Sequence, residues 1–276
     1  LLRQAIEATK LSSSDLAIRE CALREVMNYL SNIYWDRTTP ELATYVHRLI
    51  KKVTCNPDPY SQLKEKYTNA ALEVYPKLAA IVESSKDPLL TAAKIAIAGN
   101  VIDFGLKLDI NLEKEISDVL NDSLAINDVD KLREAIIESK NILYLADNAG
   151  ETVFDKLLIE ELVKQKAQVV YAVKDAPILN DATFQDAEAA GITKIAKVIS
   201  IGTDCTGILV RECSSKFLND FENCRLVISK GQGNYESLND TSDKEIFFLL
   251  KVKCPIIAED VGVKTGLAIL KKARSS

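Results

Sequence analysis

The feature that most constrains the fold is a change of texture near Asn141. Upstream the apolar residues follow helical spacing, whereas downstream short β-branched runs alternate with helical stretches. That alternation points to a parallel sheet with crossover helices. The expected strands are Ile142–Ala146, Gln168–Val173, Ala196–Ile201, Leu226–Ser229 and Pro255–Ala258, and helices are expected near Val153–Lys166, Thr183–Ala190, Gly207–Phe217 and Asp243–Val252. In residues 1–107, three- and four-residue apolar spacing predicts five helices and no strand, with start signals at Thr39-Pro40 and Asp87-Pro88. Residues 111–140 add two helical stretches. The expected architecture is therefore an all-helical region, residues 1–107, on a three-layer α/β/α domain, residues 108–276, with a mainly parallel Rossmann-like sheet.

Composition removes several chemistries. The chain has one histidine, His47, in a helical context, so Ser-His-Asp triads, Cys-His pairs and His-rich zinc sites lose their imidazole. Its six cysteines are scattered without zinc-type spacing and read as reduced thiols of a cytoplasmic protein. A formal charge of -5 and the lack of a basic patch argue against nucleic acid as a partner. No apolar run approaches membrane-spanning length, so no membrane partner is expected. Any reaction should run on carboxylates, amides, lysines and a hard metal.

In an open parallel sheet, ligands bind beyond the carboxyl ends of the strands. The polar segments there are Asp147-Asn148-Ala149-Gly150-Glu151, Lys174 to Asp181, Lys230-Gly231-Gln232-Gly233-Asn234 and Glu259 to Gly266. Asp147, Asn148 and Asp181 form a hard-oxygen set suited to Mg²⁺ or Mn²⁺, although Asp147 and Asn148 could equally cap the next helix. The glycine-rich turn could cradle an anion beside Lys230, or be a plain tight loop. Lys264, between Gly262 and Gly266, could present a phosphate counter-charge. Upstream, Asn100 and Asp103 could either end a helix or lend polar groups to the site.

Taken together and in order, Gly99-Asn100-Val101-Ile102-Asp103, Asp147-Asn148-Ala149-Gly150-Glu151 with Phe154-Asp155, Asn180-Asp181, and Lys230 to Glu236 resemble the damage-control phosphatase family, also called domain-of-unknown-function 89. The resemblance implies hydrolysis of phosphate monoesters of small metabolites with a divalent ion, Mg²⁺, Mn²⁺, Co²⁺ or Ni²⁺. It implies Asp147, Asn148 and Asp181 as metal ligands, with Asp147 and Lys264 catalytic. Asn100, Asp103, Glu151, Lys230, Gly231, Gly233 and Asn234 are then expected to bind substrate and phosphate. Archaeal and bacterial members usually carry a Cys-x-x-Cys immediately before the position of Leu1, where this chain opens Leu1-Leu2. Val261 stands where some eukaryotic members have an arginine before the late lysine. The rival readings are an S-adenosylmethionine-dependent methyltransferase, which lacks its run of glycines after Ala146, and a non-catalytic phosphometabolite-binding protein.

Overall fold

The computed structural model describes residues 1–34, 36–99, 117, 120–241 and 244–273. Residues 1–99 form the five expected helices: α1 Leu2–Ser12, α2 Leu16–Ser31, α3 Thr39–Thr54, α4 Ser61–Ser84 and α5 Pro88–Gly99. Their starts are specified locally. Asp15 accepts from Ala17 N at the head of α2, and Thr38 and Glu41 form a reciprocal capping box at the head of α3. The cap of α3 is therefore Thr38, one residue earlier than Thr39-Pro40 suggests.

Among the described residues seven strands form one sheet in the order β1-β7-β6-β5-β2-β3-β4. They are β1 Ile126–Asn127, β2 Asn141–Leu145, β3 Gln168–Val173, β4 Lys197–Ser200, β5 Leu226–Lys230, β6 Glu245–Lys251 and β7 Ala268–Lys272. All neighbours pair parallel except β6 with β7. Further helices among the described residues are α6 Val129–Glu138, α7 Thr152–Lys164, α8 Phe184–Ala189, α9 Ser215–Asn223, α10 Gln232–Leu238 and α11 Pro255–Val261.

Alternate residues of β2 serve the two faces. Ile142 and Tyr144 pack with residues of α4, α5, α6 and α7, whereas Leu143 and Leu145 pack with residues of α9, α10 and α11. This is a three-layer arrangement in which α4 and α5 share a core with the sheet. A second small core, with Ala5, Ala8, Val26, Val46, Ile50 and Tyr60, joins α1, α2 and α3. The expected junction at residues 107 and 108 lies outside the described residues. No helix of the described residues is long and apolar enough to cross a membrane.

Three expected elements differ. The stretch 243–252, expected as a helix, contains β6, because Phe247 to Leu250 are buried on both sides of the sheet and such an apolar run has no diagnostic period. Pro255–Ala258, expected as a strand, opens α11 with the proline in the first turn, where its missing N–H costs nothing. Gly207–Phe217 is mostly loop: a short 3-10 turn covers Val210–Glu212, and helix begins only after the Ser214 cap.

Candidate active site

The chain runs outward from β2 through β3 to β4, then returns to place β5 on the other side of β2. The crevice between β2 and β5 is thus a topological switch point, where ligands of open α/β sheets bind. Asp147 and Asn148 follow β2 on one side of it, and Gly231 follows β5 on the other.

Several contacts bring the loops together. Asn234 Nδ2 donates to Ala146 O at 3.0 Å and to Lys230 O at 2.8 Å, tying the ends of β2 and β5. Gly231 has φ +80°, and a Cβ there would lie 1.9 Å from Asp147 Oδ2. Only glycine allows both that backbone and that approach. The loop after β3 folds back so that Ala182 N donates to Asp147 O and Ala149 N donates to Asn180 O, each at 2.8 Å, and this delivers Asp181 beside Asn148.

The result is a cavity of about 220 Å³ lined by Asp147, Asn148, Asn180, Asp181, Thr206, Gly207, Gln232, Gly233, Glu236 and Lys253. Its roof is Thr39, Pro40 and Ala43 of α3 with Gln4 of α1. Helix α3 is bound to the site loops: Arg48 pairs with Asp204 and Glu212, Lys51 pairs with Asp204 and donates to Pro177 O, and Thr206 Oγ1 donates to Pro40 O. A larger cavity of about 540 Å³ opens beside residues 175–177, but its lysine, Lys64, is already held by Asp58 and Asp186. The smaller cavity is the one that gathers Asp147, Asn148 and Asp181.

Burial, with the charges of Glu151 and Asp181, pushes the Asp147 carboxyl well above the ordinary carboxylate range. Burial also pushes Asp181 up to about 6, against the pull of Lys174, whose Nζ is 3.6 Å away. Two carboxyls that resist ionisation together are short of positive charge. Asn148 Nδ2 donates to Glu151 Oε1 at 2.6 Å and to Asp147 Oδ2 at 3.2 Å, leaving its amide oxygen as a third donor. Two carboxylates and an amide suit a hard divalent cation that completes its shell with water or substrate. No three His, Cys, Asp or Glu groups come together at ligand spacing among the described residues.

Other expected site residues fall elsewhere. Lys230 and Glu151 are fully buried behind the cavity, with Lys230 Nζ donating to Glu151 Oε2 at 2.7 Å and to Asp155 Oδ1 at 2.8 Å. Neither lines the cavity, because each is consumed by the other. Asn234 is spent on the two strand ends, and the Gly231 N–H on Leu249 O, so of the glycine-rich turn Gln232 and Gly233 face the cavity. Lys264 is exposed on the turn after α11 and does not line the cavity, since that turn follows a helix rather than a strand. Lys253 is there instead. It follows β6, its backbone N donates to Gln232 Oε1 at 3.1 Å, and its charge acts on Asp147. Reading 245–251 as a strand would have pointed to it. Asn100 and Asp103 lie outside the described residues. The last described residue of α5, Gly99, sits against Phe154 and Glu151, where a Cβ would meet Phe154 Cδ2 at 2.6 Å.

Comparison with known proteins places the chain in a family. Residues 1–269 match the damage-control phosphatase ARMT1-like domain. The chain belongs to that family. It is 36% identical to a protein of Pyrococcus horikoshii named damage-control phosphatase, over 98% of this chain and 94% of that one. It is 34% identical to a protein of the same name from Archaeoglobus fulgidus, over 98% of this chain and 96% of that one. A crystal structure of a domain-of-unknown-function 89 protein from P. horikoshii matches with TM-score 0.86 at 34% identity, covering 99% of this chain and 96% of that one. Membership in the damage-control phosphatase ARMT1-like family supports the phosphatase expectation over the methyltransferase and binding-protein readings.

Proposed function

We propose that the chain hydrolyses phosphate monoesters of small metabolites, with a divalent cation held by Asp147, the Asn148 amide oxygen and Asp181. The observation that carries this reading is a pair of carboxyls, half-buried Asp147 and buried Asp181, with raised pKa, facing one small cavity at the switch point beside an amide oxygen. A Mg²⁺, Mn²⁺, Co²⁺ or Ni²⁺ ion there would polarise a phosphoryl oxygen and lower the pKa of a bound water. The chain's own groups would do the rest. Lys253, an exposed lysine at the cavity wall, supplies counter-charge to the phosphoryl group in the place expected of Lys264. Thr39, Asn180, Thr206 and Gln232 offer hydrogen bonds to a polar metabolite, with α3 forming one wall of the cavity.

Attack by water or by the Asp147 carboxylate are both compatible with a carboxyl at this position. Rapid-quench trapping of labelled phosphate on the protein distinguishes them. The reading itself is tested by phosphate release from a small chromogenic phosphoester. Metal-stripped protein should turn over only when one of the four ions is restored, and the Asp147→Ala variant should not. Equal turnover by that variant, or none by the wild type with any ion, would refute it.

A further inference from the structure

Behind the cavity lies a chain of five fully buried side chains that touches neither the cavity nor solvent: Tyr144, Tyr171, Asp155, Lys230 and Glu151. The hydroxyls of Tyr144 and Tyr171 donate to the two oxygens of Asp155 at 2.7 and 2.8 Å. Lys230 bridges Asp155 to Glu151, and Glu151 accepts from the Asn148 amide nitrogen. We infer that Glu151 and Lys230 are positioning residues, which lock the Asn148 amide with its oxygen toward the cation position between Asp147 and Asp181.

The inference rests on the metal reading above. Asparagine can present either end of its amide, and the NH₂ end repels a cation. Here both amide hydrogens are spent, on Glu151 Oε1 and Asp147 Oδ2, so the oxygen is the end left for the cavity. Glu151 can hold the amide this way only while its own carboxylate is fixed. Lys230 fixes it by taking Oε2, and Asp155 with its two tyrosines fixes Lys230 in turn. The charge order matters as well. With Lys230 engaged by Glu151 and Asp155, its own charge is kept out of the cavity. Residues that orient metal ligands in this way characteristically change metal affinity by about 10–100-fold when altered.

The test is calorimetric titration of Mn²⁺ into metal-stripped wild type and Glu151→Gln, beside phosphoester kinetics at saturating Mn²⁺ and a melting curve. Glutamine keeps the size but loses the charge that holds Lys230 and the amide in register. The expected result is a folded protein that binds Mn²⁺ about 10–100-fold more weakly, with KM for the phosphoester within about twofold of wild type once the metal is saturating. A folded variant with unchanged Mn²⁺ affinity overturns the inference. So does a variant whose main defect is a raised KM, because that would make Glu151 a substrate contact. If Glu151→Gln does not fold, Tyr144→Phe/Tyr171→Phe decides. That double variant removes both hydroxyls from Asp155 and should weaken Mn²⁺ binding several-fold, whereas unchanged affinity overturns the inference. The two readings fail differently. Mn²⁺ bound without turnover refutes the phosphatase alone, and Mn²⁺ bound equally by wild type and variants refutes the positioning role alone.

Discussion

Two groups of acids stand back to back at the end of β2, the rear one fully buried and the front one facing the cavity. Behind, Glu151 and Asp155 share the buried Lys230, and Asp155 also takes two tyrosine hydroxyls. Burial lowers the Lys230 pKa, but its two acids more than offset this and leave it raised. In front, Asp147 and Asp181 have Lys174 at 3.6 Å from Asp181 and Lys253 exposed at the cavity wall, and both carboxyls stay harder to ionise than ordinary ones. The rear group is a finished structural ion cluster. The front pair faces the cavity, and that placement, rather than the pKa of its acids, separates the two groups, since burial raises the Asp155 pKa as well.

Substitutions in the two groups should therefore change stability with opposite signs. The largest expected effect is Lys230→Met, which strands two buried carboxylates and should destabilise the protein by about 3–5 kcal/mol in chemical denaturation. A near-neutral result would break the contrast. Next, Gly231→Ala drives a methyl against Asp147 Oδ2 at a φ of +80°, and should cost about 1–3 kcal/mol together with most of the metal affinity. Normal Mn²⁺ binding by that variant would show that the Asp147 position is not constrained from β5. Removing the charge at the cavity wall should be milder: Lys253→Ala should lower kcat/KM about tenfold, or ~1.4 kcal/mol. Lys264→Ala should stay within about twofold, and the reverse ranking would restore the expectation drawn from sequence. The smallest effect has the opposite sign. Asp147→Asn should abolish metal-dependent turnover yet stabilise the metal-free protein by about 1 kcal/mol, raising its melting temperature by a few degrees.

Much of the front group was legible in the sequence. The runs after Asn141, Gln168 and Leu226 are short, β-branched and bounded by turn residues, so their ends, and hence Asp147, Asn148 and Asp181, could be placed on one sheet edge. The sixth strand was not legible, because a run buried on both faces reads equally well as a helix, and Lys253 was lost with it. The role of the rear group was hidden for another reason. Glu151 and Lys230 sit within the site motifs, and no spacing rule says whether a side chain at a strand end points into the crevice or behind it. Nor could sequence dock α3, whose hold on the 203–212 loop depends on ion pairs between residues more than 150 positions apart.

Burial raises the pKa of both Asp147 and Asp181, so a cation at this site competes with protons. A carboxyl whose folded pKa exceeds its unfolded value binds protons that the unfolded chain has lost, so Asp181 makes metal-free stability fall as pH rises from about 4 through 6, and Asp147 acts in the same direction. A bound cation needs both carboxylates ionised, and binding must then release protons. The most direct measurement is Mn²⁺ calorimetry at pH 6 and pH 8 in buffers of different ionisation enthalpy, which counts the protons released per ion bound. The account predicts one saturable site, release of about one proton per ion at pH 6, less release at pH 8 and tighter binding there. Saturable binding with no proton release at pH 6, or no saturable site at either pH, would contradict it.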